Sequence, residues 1–304
     1  MKVVVFGGTG WVGHSIANAF ASAGDDVTVC SRGRKSDYLD DIPESVRRVQ
    51  ADKSDGESVR SALADGFDVV VDSVPSEKTI DHVAAHAGGI ARYIHCSSTG
   101  AYAPLPAVPG DETMPYTDYR GGWRQKAVVD GKALRLHASD GFPAAVIRPT
   151  YITGPGMRPL DNLGGRREDF IPDILAGKVI DLPGDGRALL QPVHVKGLAE
   201  AFVLAAKADR AVGEVYNVTS AKAVTLTRYV ELNAEALGRE ARVNLVPLDE
   251  MLARYPDADE IGMRFLAEHM CYDISKARAQ LGWEPGGTAE EAIIETARWA
   301  AGVH

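Results

Sequence analysis

Three glycines near the start of the chain, Gly7, Gly10 and Gly13, stand at G-x-x-G-x-x-G spacing within KVVVFGGTGWVG. An apolar run, Val3 to Phe6, precedes them, and a helical pattern begins at Trp11. In that setting glycine suits a phosphate. It permits the tight turn, lets backbone amides approach a pyrophosphate, and lets helix and sheet pack closely. The loop through Gly7, Gly10, Trp11, Val12 and Gly13 is therefore expected to cradle a dinucleotide, against the alternative of a purely structural turn. A second strand ending in a carboxylate would hold the ribose 2′-hydroxyl of NAD. Here it ends Cys30-Ser31-Arg32-Gly33-Arg34-Lys35, with no carboxylate at the tip and three cations after it. Ser31 and Arg32 suit a 2′-phosphate, because a guanidinium forms paired charge-assisted hydrogen bonds. NADP is the expected cofactor and NAD the alternative; a solvated basic loop is the structural reading of the same residues.

The elements that must position these residues alternate along the first half of the chain. Strands are expected at Val3–Phe6, Val27–Cys30, Val46–Gln50, Asp68–Ser73, Tyr93–Ser97 and Ala144–Arg148. Helices are expected at Trp11–Ala23, Ser54–Ala64, Lys78–Ala87 and Trp123–Ser139. Most of the strand runs lack period-two alternation, which fits strands covered on both faces. Repeated βα units with right-handed crossovers give an α/β fold, a doubly wound parallel Rossmann sheet. A short helix at Phe170–Ala176, a helix over most of Val193–Lys207 and a strand at Val215–Val218 follow. From Thr225 the pattern is mainly helical, with one strand near Val243–Val246. The expected organisation is a dinucleotide-binding domain of residues 1–155 and about 188–220, with a smaller, mainly helical substrate domain from about 156–187 and 221–304.

The chain has 304 residues, 45% hydrophobic and 25% charged, an ordinary globular balance. A net charge of -9 disfavours polyanion binding, which depends on Lys and Arg displacing counterions. Cys30, Cys96 and Cys271 form no CxxC pair, which suits a reducing cytoplasm; Cys30 and Cys96 read as small buried hydrophobes. No signal peptide is expected, and no run approaches the ~20 apolar residues of a membrane span, so the expected location is cytoplasmic. His82 and His86 stand at a metal-capable spacing without a third ligand, and no metal site is expected. Arg166-Arg167 lies in a loop where substrate anions could bind, against the plainer reading of a solvated pair.

Taken in order, GGTGWVG at 7–13, Asp52 after the third strand, SSTGAY at 97–102, RPTYITGPG at 148–156, HVKGLAEA at 194–201, VYNVTS at 215–220 and DISKARAQLGWEP at 273–285 form a series. On these motifs the chain resembles the extended, in part atypical, short-chain dehydrogenase/reductases, the NAD(P)-dependent epimerase/dehydratase group. The resemblance implies Asp52, with Lys53, near the adenine. It implies Ser73 and Val74 beside the cofactor and Pro149 and Thr150 under the nicotinamide. It also implies hydride transfer at a hydroxyl or carbonyl, supported by a Ser or Thr, a Tyr and a Lys. Ser98 matches the hydroxyl, with Thr99 beside it as a substrate contact, and Lys126 matches the lysine that binds the nicotinamide ribose.

The tyrosine of the family's Y-x-x-x-K departs from the pattern, because Gly122 stands four before Lys126. Tyr119 would share a helix face with Lys126 if the helix began early, which Gly121-Gly122 makes costly; Tyr116, Tyr102 and Tyr151 are further candidates. Leu190 stands where nucleotide-sugar members carry a diphosphate-binding arginine, with Arg187 nearby, and Gly197 replaces an expected aspartate. Expected substrate contacts are Thr99, Tyr151 and Arg187. The departures are similar to atypical branches, one of them related to chloroplast stem-loop RNA-binding proteins. Three readings stand: an NADP(H)-binding oxidoreductase or epimerase for a small polar, sugar-derived or other, substrate; a cofactor-bound binding or regulatory protein, RNA-binding included; and a reductase relying on lysine alone. The expected partner is the small substrate, with no membrane, nucleic acid disfavoured, and a homodimer implied by resemblance.

Overall fold

The computed structural model describes residues 1–34, 38, 41–116 and 122–303, the side chains of 122 and 123 excepted. In chain order the strands are β1 (Lys2–Phe6), β2 (Asp26–Ser31), β3 (Arg47–Gln50), β4 (Val69–Asp72), β5 (Arg92–Cys96), β6 (Ala144–Pro149) and β7 (Ile152–Thr153). They continue as β8 (Val179–Pro183), β9 (Leu189–Leu190), β10 (Val193–His194), β11 (Val215–Val218), β12 (Val224–Thr225) and β13 (Arg242–Val246). The first helices are α1 (Trp11–Ser22), α2 (Gly56–Ala62), α3 (Glu77–His86), α4 (Gly122–Asp140), α5 (Phe170–Leu175) and α6 (Val195–Lys207). After them come α7 (Leu226–Ala236), α8 (Leu248–Arg254), α9 (Glu260–Leu266), α10 (Ser275–Leu281) and α11 (Ala289–Ala300).

Seven strands form one sheet in the order β11-β6-β5-β4-β1-β2-β3, every pair parallel. The order reverses direction beside β1, and such a switch point leaves a crevice at the carboxyl ends of the strands. Strand β1 explains why the run VVVF lacks alternation. Val3 and Val5 enter an apolar cluster with Ile16, Phe20, Leu198 and Phe202 of α1 and α6. Val4 and Phe6 enter another on the opposite face, with Val59, Ile80, Val83 and Val129 of α2, α3 and α4. Both faces are buried, so both parities must be apolar.

The later chain builds a separate apolar cluster from Phe170, Ile180, Leu182, Tyr229, Val230, Phe265 and Ile293. Here the structure adds what the pattern did not disclose. Strand β8 pairs in parallel with β13, where the sequence suggested only the later strand. Its central Asp181 breaks the apolar run VIDLP, yet that carboxylate is answered by Asn244, Arg254 and Tyr255. Its partner strand lies some sixty residues away, beyond any local periodicity. Short pairs β7–β10 and β9–β12 tie the later chain to the segment after β6. Among the described residues no helix is long and apolar enough to cross a membrane.

Candidate active site

The three glycines of the first loop carry three different constraints. Gly7 has φ +74°, and a Cβ there would meet Ser73 Oγ at 2.4 Å. A Cβ on Gly13 would lie 2.1 Å from the carbonyl oxygen of Gly7, so only glycine lets α1 begin against the turn. A Cβ on Gly10 would meet nothing closer than Gly7 O at 3.5 Å, an ordinary contact. The protein itself does not demand glycine at position 10; the open space above it is what a ligand would fill.

Helix α1, like α5, α8 and α10, lacks the side-chain cap that several other helices carry. Asp55 caps α2, Ser76 caps α3 and Thr225 caps α7 through side-chain oxygens. Thr288 closes a capping box on α11. Gly10 at the N-cap of α1 has no side chain to offer, and no acidic residue stands in the first turn. The amino-terminal amides and the positive end of the helix dipole are thus left for an anion.

A cleft of about 550 Å³ opens over this loop. Gly7, Gly10, Ser31, Arg32, Asp52, Lys53 and Val74 line it, and so do Thr9, Arg34, Tyr38, Ser54 and Ser76, which the sequence did not single out. Strand β2 ends at Ser31, and the exposed Arg32 and Arg34 make no hydrogen bond or ion pair with any described residue through their guanidinium groups. Asp52 accepts from the hydroxyl and amide of Ser54, which hold its carboxyl below the ordinary range, helped by Arg32 and Arg34. Lys53 is committed elsewhere. Its ammonium donates to the fully buried Asp72 at 2.9 Å and to Val74 O. Ser73 is buried and donates to Phe6 O, a bond that pins β4 to β1. Val74 is an apolar side chain 61% exposed on the lip of the cleft, available for ligand contact. Two straps reach from the rim of the cleft to the segment after β7: Trp11 Nε1, at the start of α1, donates to Pro155 O at 2.8 Å, and Tyr38 Oη, from the connection after β2, donates to Gly156 O at 2.6 Å.

Past Trp11 and Val12 a second cavity of about 430 Å³ begins. Ser97, Ser98, Thr99, Lys126, Pro149, Thr150 and Tyr151 line its inner wall. Adjacent serines have opposite roles there. Ser97 is buried and donates to Asp130. Ser98 faces the cavity half-exposed, and its oxygen accepts from Gly100 N at 3.1 Å, leaving its own hydrogen free to donate. Thr150 is tied through its hydroxyl to Gln191 O and Thr219. Arg187 lies on an exposed turn between β8 and β9 and does not line this cavity, while Leu190 is buried in the apolar cluster beneath. The outer wall comes from Arg166, one of the pair the sequence offered for a substrate anion, and from Met157, Phe265, Leu266 and Met270, which it did not nominate.

Beneath the inner wall lies a buried polar layer on the α4 face of the sheet. Asp130 of α4 is fully buried and accepts from His95 Nε2 at 2.7 Å, Ser97 Oγ at 2.7 Å and Arg148 Nε at 2.8 Å. Burial would push its carboxyl up. The His95 hydrogen bond, the Arg148 charge and Ser97 outweigh that and hold it below the ordinary carboxylate range. Arg148 is itself 1% exposed, with its guanidinium 4.4 Å from the Tyr102 ring centroid and 4.8 Å from that of Tyr116. The layer fixes the end of β5, and with it Ser98, against α4, which carries Lys126.

The tyrosines divide sharply. Tyr116 Oη accepts from Arg148 at 2.7 Å, and Tyr102 is buried with its hydroxyl donated to Asn217. Neither lines the cavity. Tyr151 does line it; burial pushes its phenol well above the ordinary value, against the opposing Arg166, so it stays a neutral O–H, a hydrogen-bond donor and a weak acid. Tyr119 lies outside the described residues.

The signature of the "NAD dependent epimerase/dehydratase family" matches residues 3–219, from β1 through β11. The chain belongs to that family. Its relatives include the chloroplast stem-loop binding protein of 41 kDa b of Arabidopsis thaliana, 27% identical over 315 residues, which cover 97% of this chain and 78% of that protein. A UDP-glucose 4-epimerase of Corynebacterium glutamicum is 26% identical over 99% of this chain and 95% of its own. The family's fold recurs in the dTDP-glucose 4,6-dehydratase of Bacillus anthracis at a TM-score of 0.80 and 20% identity, covering 99% of this chain and 97% of that one. In this chain Gly122 stands four residues before Lys126.

Proposed function

We propose that the protein is an NADP(H)-dependent oxidoreductase or epimerase acting on a hydroxyl or carbonyl of a small polar substrate. The observation that carries the reading is the meeting of two cavities at the glycine turn. One offers a helix N-terminus without a side-chain cap and arginine side chains with no partner among the described residues, the other a serine hydroxyl with no acceptor among the described residues and, in the same lining, a lysine. The glycine loop would hold the pyrophosphate, Ser31, Arg32 and Arg34 the 2′-phosphate, and Lys126 the nicotinamide ribose. A bound nicotinamide supplies a carbon that gives or takes hydride. Ser98, its oxygen already engaged by Gly100 N, donates to the substrate oxygen and fixes the orientation of the reacting carbon. The Asp130 layer holds Ser98 and Lys126 in register. Proton transfer falls to Lys126 or Tyr151 within the described wall, or to Tyr119.

Lys126→Ala is expected to abolish turnover of any substrate the wild type converts, because it removes both the ribose anchor and the cavity's ammonium. Wild-type rates in that variant would overturn the assignment. A second reading is favoured by one observation, the stem-loop binding relative spanning 97% of the chain: the protein binds RNA without catalysing. Gel retardation of a stem-loop RNA at physiological salt would support it; the net charge of -9 argues for no shift.

A further inference from the structure

Arg166 stands in the outer wall of the second cavity under unusual conditions. Its guanidinium donates to Ile152 O at 2.7 Å and to Arg158 O, and lies 5.4 Å from the Tyr151 ring centroid. Carbonyl oxygens position a guanidinium without neutralising it. Among the described residues no carboxylate pairs with Arg166. The nearby Asp161 is spent on the amides of Leu163, Gly165 and Arg167 and on the Arg167 side chain. Its neighbours Arg158 and Arg167 do have acidic partners, Glu168 for the first and Asp161 with Asp173 for the second. The described lining of the cavity contains two cations, Lys126 and Arg166, and no Asp or Glu. A half-buried, pre-oriented and uncompensated cation favours an anion.

The remaining wall restricts the size and character of that anion. Phe265, Leu266, Met270, Ile152 and Met157 make the end near Arg166 apolar. A Cβ on Gly164 would lie 2.1 Å from the backbone carbon of Gly262, so the loop before α5 and helix α9 meet backbone to backbone and shut that wall. The whole cavity is about 430 Å³, low in the ~300–1,000 Å³ range of small-molecule sites. A nucleoside diphosphate would bring two phosphates to a wall with a single cation. One carboxylate on a short carbon skeleton matches both the charge and the space.

We propose that the substrate is a small monocarboxylate carrying a hydroxyl or keto group, with its carboxylate on Arg166 and its reacting oxygen toward Ser98. The proposal rests on the function proposed above and adds the substrate class and Arg166 as the residue that selects it. The test titrates protein saturated with NADP⁺ by calorimetry, after cofactor binding has been measured on the same sample. The probes are 4-methyl-2-oxopentanoate, mandelate and glucuronate, each beside its neutral primary amide, together with UDP-glucose. At least one acid is expected to bind tenfold or more tighter than its amide, as a charge-assisted pair implies. Arg166→Gln is expected to bring that ratio to about one, and Arg166→Lys, which keeps the charge, to restore part of it. Amides binding as well as acids, a preference that survives Arg166→Gln, UDP-glucose as the tightest probe, or no acid bound by cofactor-loaded protein would each overturn it. Failure to bind NADP⁺ at all would instead overturn the underlying function.

Discussion

The cleft over the glycine turn takes all its lining from between Phe6 and Ser76, whereas the cavity beside it gathers residues from Trp11 to Met270. The first is shaped by a close backbone approach, Gly13 against Gly7, set by consecutive strand, turn and helix, and by the Ser73 hydroxyl closing on Gly7 from the end of β4. The second depends on side chains that meet only when the sheet, α4, the loop before α5 and α9 have all assembled. Its floor is a charged layer removed from water. A site of the first kind depends on distant chain mainly through the Trp11 and Tyr38 straps to Pro155 and Gly156; a site of the second kind fails when any one of several distant elements moves.

The largest expected effect breaks the second cavity. Asp130→Asn leaves the Arg148 guanidinium buried beside a neutral amide, and losing one partner of a buried pair costs about 3–5 kcal/mol. Chemical denaturation would measure this as a lower midpoint with an unchanged slope. The same residue sets a pH dependence. Its folded pKa is depressed, so its contribution is full above the unfolded carboxylate value of ~3.9 and is lost as pH falls through the lower folded value. Asp130→Asn should flatten that acid limb, and an unaltered limb would assign the acid loss to other groups.

A smaller effect on stability breaks the cleft instead. Gly13→Ala forces a methyl against Gly7 O, an overpacking worth ~1–3 kcal/mol, and opens the turn. Cofactor binding should be lost while the folded protein persists, as circular dichroism and a binding titration together would establish. Retained affinity would mean that the turn yields without moving its amides. The mildest expectation concerns thiols. Burial pushes Cys30 up to about 12 and Cys96 up to about 11, each within a sheet strand. In native protein at pH 8 iodoacetamide should therefore modify Cys271, at the less covered position, before either; fast labelling of Cys96 would indicate an open inner wall.

This division also explains what could be read from residues alone. Gly7, Gly10 and Gly13 announce themselves because turn and helix start impose fixed spacing, and β1's unbroken valines follow from a sheet buried on both faces. Ser98 and Lys126 became visible through family resemblance, and both line the same cavity. Arg166 stands in the sequence as half of a basic pair, open to a substrate anion but more plainly solvated. Its distinction from Arg167 lies in Ile152 O, Arg158 O and the absence of a described carboxylate partner, none of which is a property of local sequence. Phe265, Leu266 and Met270 arrive from α9 and just beyond it, and β8 finds its partner only in β13. Lys53, expected near the adenine with Asp52, does line the cleft, but its ion pair with buried Asp72 is nothing local sequence discloses.

Fluorescence titration of the purified protein with NADPH and NADH, wild type beside Arg32→Ala, tests the central claim most directly. NADPH is expected to bind more tightly than NADH. Arg32→Ala should weaken NADPH by about ten- to hundredfold, the worth of hydrogen bonds to a charged group, and leave NADH nearly unchanged. Equal or tighter NADH binding, or an affinity for NADPH indifferent to Arg32, would contradict the account.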